Sequence, residues 1–326
     1  MRLVYGPVLS WRFGRSLGID PISGKKVCTY DCIYCQLGRT LHQVAGPEEA
    51  NIAVDVNRLV KELARKLEEV PLGQIDVVTF SGSGEPTLAK NLEEACKAVK
   101  GVVGRAKNVV LLTNSSLLHR REVRSALRCF DVVCAKLDAC DQRTYLAINR
   151  PHPRLPKFEK VAKSIKEFRK EFGGKLMVQT MLVKGKVSNC SLDYVRKLVE
   201  LTASIDPDVV QLCVPYRPVA EGFIEVPSME ELRKIADAYG EMFSRNNLWV
   251  FGEHDAKMRV ARKRAKNLVE EIVELIERRP CTAEEIAKAL NVKMKDAAEA
   301  LRGLEKGGVL SSVNIRGRKF YTIARP

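Results

Sequence analysis

Residues 56 to 251 repeat one pattern often enough to dictate an architecture. "VNRLVKELARKLEEV" (56–70) spaces its apolar residues as a helix does, and "IDVVTFSGSGEP" (75–86) then reads as a buried strand closing in a glycine-rich turn. The pair recurs: "NLEEACKAV" precedes "NVVLLTNSS", "REVRSALRCF" precedes "DVVCAKLDA", "FEKVAKSIKEFRKEF" precedes "KLMVQTMLVKG", and "LDYVRKLVELTASI" precedes "DVVQLCVPYRP". With an opening strand near "SLGIDPI" this makes about six strand and helix units. Each strand is rich in Val, Leu and Ile, as strands buried on both faces of a parallel sheet are. The fold class is therefore α/β: a parallel sheet with helices outside, either an open doubly wound sheet or a full or partial barrel. Such sheets bind ligands at the carboxyl ends of their strands. There the chain places Gly82, Gly84 and Glu85, then Thr113 and Asn114, then Lys136 and Asp138, then Gln179 and Gln211. Singly, each is an ordinary strand-end residue; together they predict one site.

From residue 266 the pattern changes. "KNLVEEIVELIERR" is a charged amphipathic helix, "TAEEIAKAL" a second helix opened by Thr282 with Glu285 three residues on, and "MKDAAEALRGLEKGG" a third ended by glycines. Two strands follow in "VLSSVNIRGRKFYTI", around Arg316, Gly317 and Arg318. Three helices and a basic hairpin resemble a winged helix-turn-helix. The expected layout is an α/β domain over 1–252, a basic linker over 253–265 and a winged helix-turn-helix domain over 266–326, for which 326 residues leave room. A formal charge of +15 and a pI near 9.4 favour a polyanionic partner, nucleic acid first. Seventeen basic residues face nine acidic ones from Lys257 to Pro326, a net of +8. Arg316, Arg318 and Lys319 of the wing and Lys293 and Lys295 of the third helix are the expected phosphate contacts. No leader pattern and no run near the roughly 20 apolar residues of a membrane span are present, so a cytoplasmic protein is expected.

Ten cysteines in such a chain do not read as a secreted disulfide framework. Three of them, Cys28, Cys32 and Cys35, lie within "KKVCTYDCIYCQLGRT" (25–40). Zinc would recruit His42 to complete a Cys3His site, although the paired spacings of structural zinc are not completed downstream. A redox pair of Cys32 and Cys35 leaves Cys28 unexplained, and the segment is too polar for chance core thiols. The remaining reading is an iron–sulfur cluster. A four-iron cubane takes one thiolate per iron, so three thiolates leave one iron open for another ligand.

Cys-x3-Cys-x2-Cys with aromatic Tyr34 just before the last cysteine, followed by repeated strand and helix units, resembles the radical S-adenosylmethionine (SAM) superfamily over about residues 1 to 250. The resemblance implies a partial (βα)6 TIM-like barrel and a [4Fe–4S] cluster on Cys28, Cys32 and Cys35. It implies SAM as the ligand of the open iron, and reductive cleavage of SAM to a 5′-deoxyadenosyl radical that abstracts hydrogen from a substrate. An electron donor such as ferredoxin or flavodoxin goes with it. The same resemblance puts Gly82, Gly84 and Glu85 of "SGSGEP" at the methionine end of SAM. Asn114, Lys136 and Asp138 fall at its sugar and carboxylate, and Tyr34 near its adenine. "YGPVLSWRFGRSLGIDPI", "GSGEPTL" and "INRPH" resemble the group related to tRNA wyosine synthase, which carries further N-terminal cysteines; none precedes Cys28 here. Cys134, Cys140, Cys190 and Cys213 are expected to be core thiols, with one cluster per chain. tRNA is the expected substrate. A peptide gripped by the winged helix, or a small molecule on a cofactor-building route, is the alternative, and a non-enzymatic DNA-binding regulator leaves the cysteine loop unexplained.

Overall fold

The computed structural model describes residues 2–254 and 267–324. Eight strands form one sheet in chain order: β1 (Val4–Ser10), β2 (Gly14–Ile19), β3 (Val77–Phe80), β4 (Asn108–Thr113), β5 (Val132–Lys136), β6 (Lys175–Met181), β7 (Val209–Cys213) and β8 (Leu248–Val250). From β2 onward every neighbour is parallel, and β1 runs antiparallel to β2. The intervening helices are α1 (Val56–Glu69), α2 (Leu92–Val103), α3 (Arg121–Leu127), α4 (Gln142–Asn149), α5 (Phe158–Glu171), α6 (Leu192–Ala203) and α7 (Met229–Gly240). Apolar side chains of the helices pack with the strands; Leu59, Leu63, Ala95, Val99, Val78 and Phe80 are fully buried in one core. Asp55 caps α1 by accepting from Arg58 N at 2.9 Å.

The result is a curled half-barrel, with one strand more at each end than the repeat predicts. β1 escapes because Gly6 and Pro7 interrupt it, and its pairing with β2 shifts register between Tyr5 and Val8. β8 escapes because it is only three residues long. β1 and β8 do not pair with each other, and the two ends of the sheet meet through side chains. Trp11 and Phe13, at the tip of the β1–β2 hairpin, pack edge-on against Phe251 (5.7 Å) and Trp249 (6.2 Å). Gln179 and Gln211 also differ from expectation. They lie within β6 and β7 as register partners and bond to each other at 2.8 Å.

The C-terminal segment forms α8 (Leu268–Arg278), α9 (Ala283–Leu290), α10 (Met294–Lys306) and a hairpin of β9 (Leu310–Ile315) and β10 (Arg318–Ile323). The three helices and the hairpin lie where the sequence places them. Thr282 and Glu285 close the expected capping box on α9. Ile272, Leu275, Ile286, Leu290, Leu301 and Leu310 form a core of their own, into which Tyr5 of β1 also packs. Most of the expected basic linker, residues 255–265, lies outside the described residues. Among the described residues no helix is long and apolar enough to cross a membrane.

Candidate active site

The cysteine loop is pinned by backbone on two sides. Val27 and Cys28 pair with His42 and Gln43, and Val27 also bridges Gly84 of the turn after β3, with Glu85 N donating to Val27 O at 3.2 Å. A Cβ on Gly84 would lie 1.8 Å from the Val27 carbonyl oxygen, so only glycine lets the two segments touch. On the other side Asp31 N and Ile33 N donate to the end of α4, at Asn149 O and Ile148 O. Asp31 in turn accepts from Thr40 N (2.6 Å) and Arg39 Nε (2.7 Å), folding the loop back on itself.

Each of the three sulfurs receives a different N–H donor. Asn114 Nδ2 lies 3.6 Å from Cys28 Sγ, Asn149 Nδ2 3.6 Å from Cys32 Sγ, and Lys26 Nζ 3.2 Å from Cys35 Sγ. Burial pushes the Cys28 and Cys32 thiols up to about 12, with the nearby Glu85 and Asp138 charges adding to it. Cys32 is raised further by Cys35, and Cys28 by Cys32, so the three thiols share one patch. Among the described residues no three His, Cys, Asp or Glu side chains converge to hold a single ion, and His42 is exposed. A cubane gives each thiolate a different iron, so it asks only that the three thiols share one patch, and N–H donors to its sulfurs suit it. The residues present therefore fit the cluster.

The strand-end residues do gather around this loop, and the hydrogen bonds show how. Glu85 is buried; its Oε1 accepts from Thr87 N, Thr87 Oγ1 and Thr113 Oγ1, and its Oε2 from Asn114 N. Only Oε2 keeps an acceptor position for a ligand. Asn114 spans from Cys28 to Thr29 Oγ1 at 2.7 Å. Tyr34 donates to Asp138 Oδ2, under the Lys136 ammonium, which sits 4.7 Å above its ring and 3.5 Å from Asp138 Oδ1. Gly82 has a neighbour that explains it: a Cβ there would lie 2.3 Å from Asp20 Cγ.

Three residues of the site were not assigned roles from sequence, Lys26 at Cys35 among them. Asn149, inside the noted "INRPH", joins Cys32 to Asp138 Oδ2 (2.8 Å) and Tyr34. Asp20, which ends "SLGID", is buried and accepts from Ile22 N, Ser23 N, Ser83 N and Ser83 Oγ. Its remaining partner is Arg278 at the end of α8, 3.4 Å away and equally buried. Arg278 also lies over the Tyr5 ring, donates to Arg2 O, and lends its carbonyl to Gln36 just after the cysteines. The C-terminal segment thus supplies part of the wall of the site. Of the remaining thiols, Cys134 packs among Val110, Met177 and Val209, Cys190 donates to Val183 O, and Cys213 faces the inside of the half-barrel.

The Radical SAM superfamily profile matches residues 22–198. The chain belongs to the radical SAM superfamily. It is 30% identical to a UPF0026 protein of Methanocaldococcus jannaschii over 98% of this chain and 96% of the relative. A UPF0026 protein of Synechocystis is 40% identical over 66% of this chain and 76% of its own length. A radical SAM methyltransferase from Sphaerobacter thermophilus shares the fold at TM-score 0.50 and 17% identity, over 72% of this chain and 65% of that one. As a radical SAM enzyme the chain takes a [4Fe–4S] cluster and SAM.

Proposed function

We propose that this radical SAM enzyme modifies RNA, with tRNA as substrate. The observation that carries the reading is a cavity of about 740 Å³ between the cysteine loop and the C-terminal hairpin. Lys26, which donates to Cys35, lines one side of it, and Ser311 and Thr322 of the hairpin line the other. A nucleotide delivered there lies beside the radical source, while the rest of the RNA meets the C-terminal segment, which we read as a winged helix-turn-helix. Lys293, Lys295 and Arg316 are exposed on that segment and make no ion pair among the described residues, which suits phosphate contact. Arg318 and Lys319 are less free: Arg318 lies 3.8 Å from Glu285, and Lys319 is held by Glu305 at 2.9 Å.

In this reading Cys28, Cys32 and Cys35 hold the cluster, and Glu85 Oε2, Asn114, Lys136 and Asp138 border the SAM position. When bound, the cluster supplies the electron that cleaves SAM to methionine and a 5′-deoxyadenosyl radical. The protein's part is to hold the three sulfurs by Asn114, Asn149 and Lys26 and to keep Tyr34 fixed on Asp138. The electron donor is expected to be a ferredoxin or flavodoxin. Mass spectrometry of bulk tRNA nucleosides from cells with and without the gene tests the proposal. One nucleoside missing from the deletion strain is the expected result; identical profiles would turn the reading toward a peptide or small-molecule substrate.

A further inference from the structure

Behind the cysteine loop the half-barrel encloses a second cavity, about 220 Å³, which shares Gln36 with the first. Its lining includes Arg12, Arg217, Arg278 and Arg279 and no Asp or Glu. Three of the four guanidiniums are answered by carboxylates outside the cavity. Arg217 makes a two-pronged pair with Glu285 (2.7 and 2.9 Å), Arg279 lies 3.8 Å from the same carboxylate, and Arg278 pairs with Asp20. Arg12 is different. It stands at the tip of the β1–β2 hairpin between Trp11 and Phe13, its guanidinium 5.6 Å from the Phe13 ring, and makes no ion pair among the described residues; its Nε, like those of Arg278 and Arg279, is shielded without a hydrogen-bond partner. It lines the same cavity as Cys213 of β7, so it faces the enclosed sheet, and its charge is felt by the buried thiols of Cys134 and Cys213.

A guanidinium in such a place gives up hydration without a compensating charge, a cost that a bound oxyanion offsets through a charge-assisted, two-pronged contact. Arg217, Arg278 and Arg279 add a positive field around the same cavity. We propose that this cavity binds an oxyanion of the radical acceptor, a phosphate or a carboxylate, with Arg12 as its principal ligand. The binding stands on this geometry alone; that the bound molecule receives the radical rests on the proposed function.

The chain has two tryptophans, and both flank the site: Trp11 lines the cavity beside Arg12, and Trp249 packs against Phe13. Intrinsic fluorescence of the full chain therefore reports the cavity directly. Inorganic phosphate, acetate and chloride are titrated separately at constant ionic strength. A saturable change with phosphate is expected of a phosphoryl-bearing substrate, and one with acetate alone of a carboxylate; either supports the proposal. R12Q is expected to weaken that response at least about tenfold and R12K less, as loss of a charged hydrogen bond does. Protection of Arg12 from phenylglyoxal by the same anion, read by peptide mass spectrometry, needs no variant. A response equal to that of chloride, an undiminished response in folded R12Q, or no protection of Arg12 would overturn the proposal. SAM cleavage by the reduced, iron-reconstituted protein is measured separately. Its absence would sink the radical reading and leave the anion site standing.

Discussion

Asp20 and Arg278 form one of the buried ion pairs that join the half-barrel to the C-terminal segment, beside Lys66 with Glu271 and Arg217 with Glu285, and their losses are not equivalent. Without Arg278, Asp20 keeps its donors from Ile22, Ser23 and Ser83. Without Asp20, Arg278 is buried with no carboxylate at its Nε, and those loop donors are orphaned. D20A is therefore expected to destabilise by about 3–5 kcal/mol, as breaking a buried pair does, with the loop donors orphaned besides, and R278M by less, because Asp20 keeps its four donors although Arg2 O and Glu274 O lose theirs. Urea melts of the two variants check this, and equal losses would refute the asymmetry. Asn149 has a different consequence, because its amide serves both Cys32 and Asp138. N149L is expected to fold and to bind iron roughly tenfold more weakly, the usual cost of removing a partner behind a metal ligand. Serine at Cys28, Cys32 or Cys35 is expected to lose most of the about four irons of one cubane. Iron near eight per wild-type chain would instead reveal a second cluster.

Among the elements, the C-terminal helices are held by a junction that titrates. Glu285 closes the capping box of α9 and grips Arg217 of the loop after β7. Burial works to raise its carboxyl, but the Arg217 and Arg279 guanidiniums prevail and hold it below the usual carboxylate range. A carboxyl lowered in the folded state stabilises above its unfolded value of about 4.5 and loses that contribution as pH falls through the folded one. Acid is thus expected to loosen α9 from the half-barrel, seen as faster amide exchange in 283–290 below pH 4.5, and E285Q is expected to show that exchange already at pH 7. The capping box was legible because Thr282 and Glu285 have a fixed spacing. The six central strands were legible for the same reason, as unbroken apolar runs between periodic helices. Arg217 as the partner of Glu285, and Asp20 as that of Arg278, were not, since nothing local ties residues separated by 68 and 258 positions. The cysteine loop was legible to its ligands but not to their donors. Asn149 reaches Cys32 only because α4 ends against the loop.

At the scale of the molecule, the charge that argues for RNA is not where the hairpin alone would put it. Residues 267–324 contain ten basic and nine acidic side chains, close to neutrality, and the hairpin's Lys319 and Arg318 are engaged by Glu305 and Glu285. The dense positive run is "KMRVARKRAK", 257 to 266, with six basic residues and no acidic one. Phosphate binding releases counterions in proportion to the free cations that make contact, about 0.7 in the slope of log affinity against log salt per single-strand phosphate. Gln at the six basic positions of the run is therefore expected to flatten the salt dependence of RNA binding by several times more than R316Q/R318Q/K319Q, whose two paired cations must first surrender their carboxylates. Filter binding of tRNA across a salt series measures both slopes. If the hairpin triple variant flattens the slope as much as the six-residue one, the hairpin is the main phosphate contact, and the ion pairs of Arg318 and Lys319 open when RNA arrives. The slope also bears on how the two parts of the molecule cooperate, because α8 follows the basic run in sequence and ends at Arg278 on the wall of the site. An RNA held by 257–266 is one short helix away in the chain from the cavity that leads to Cys35.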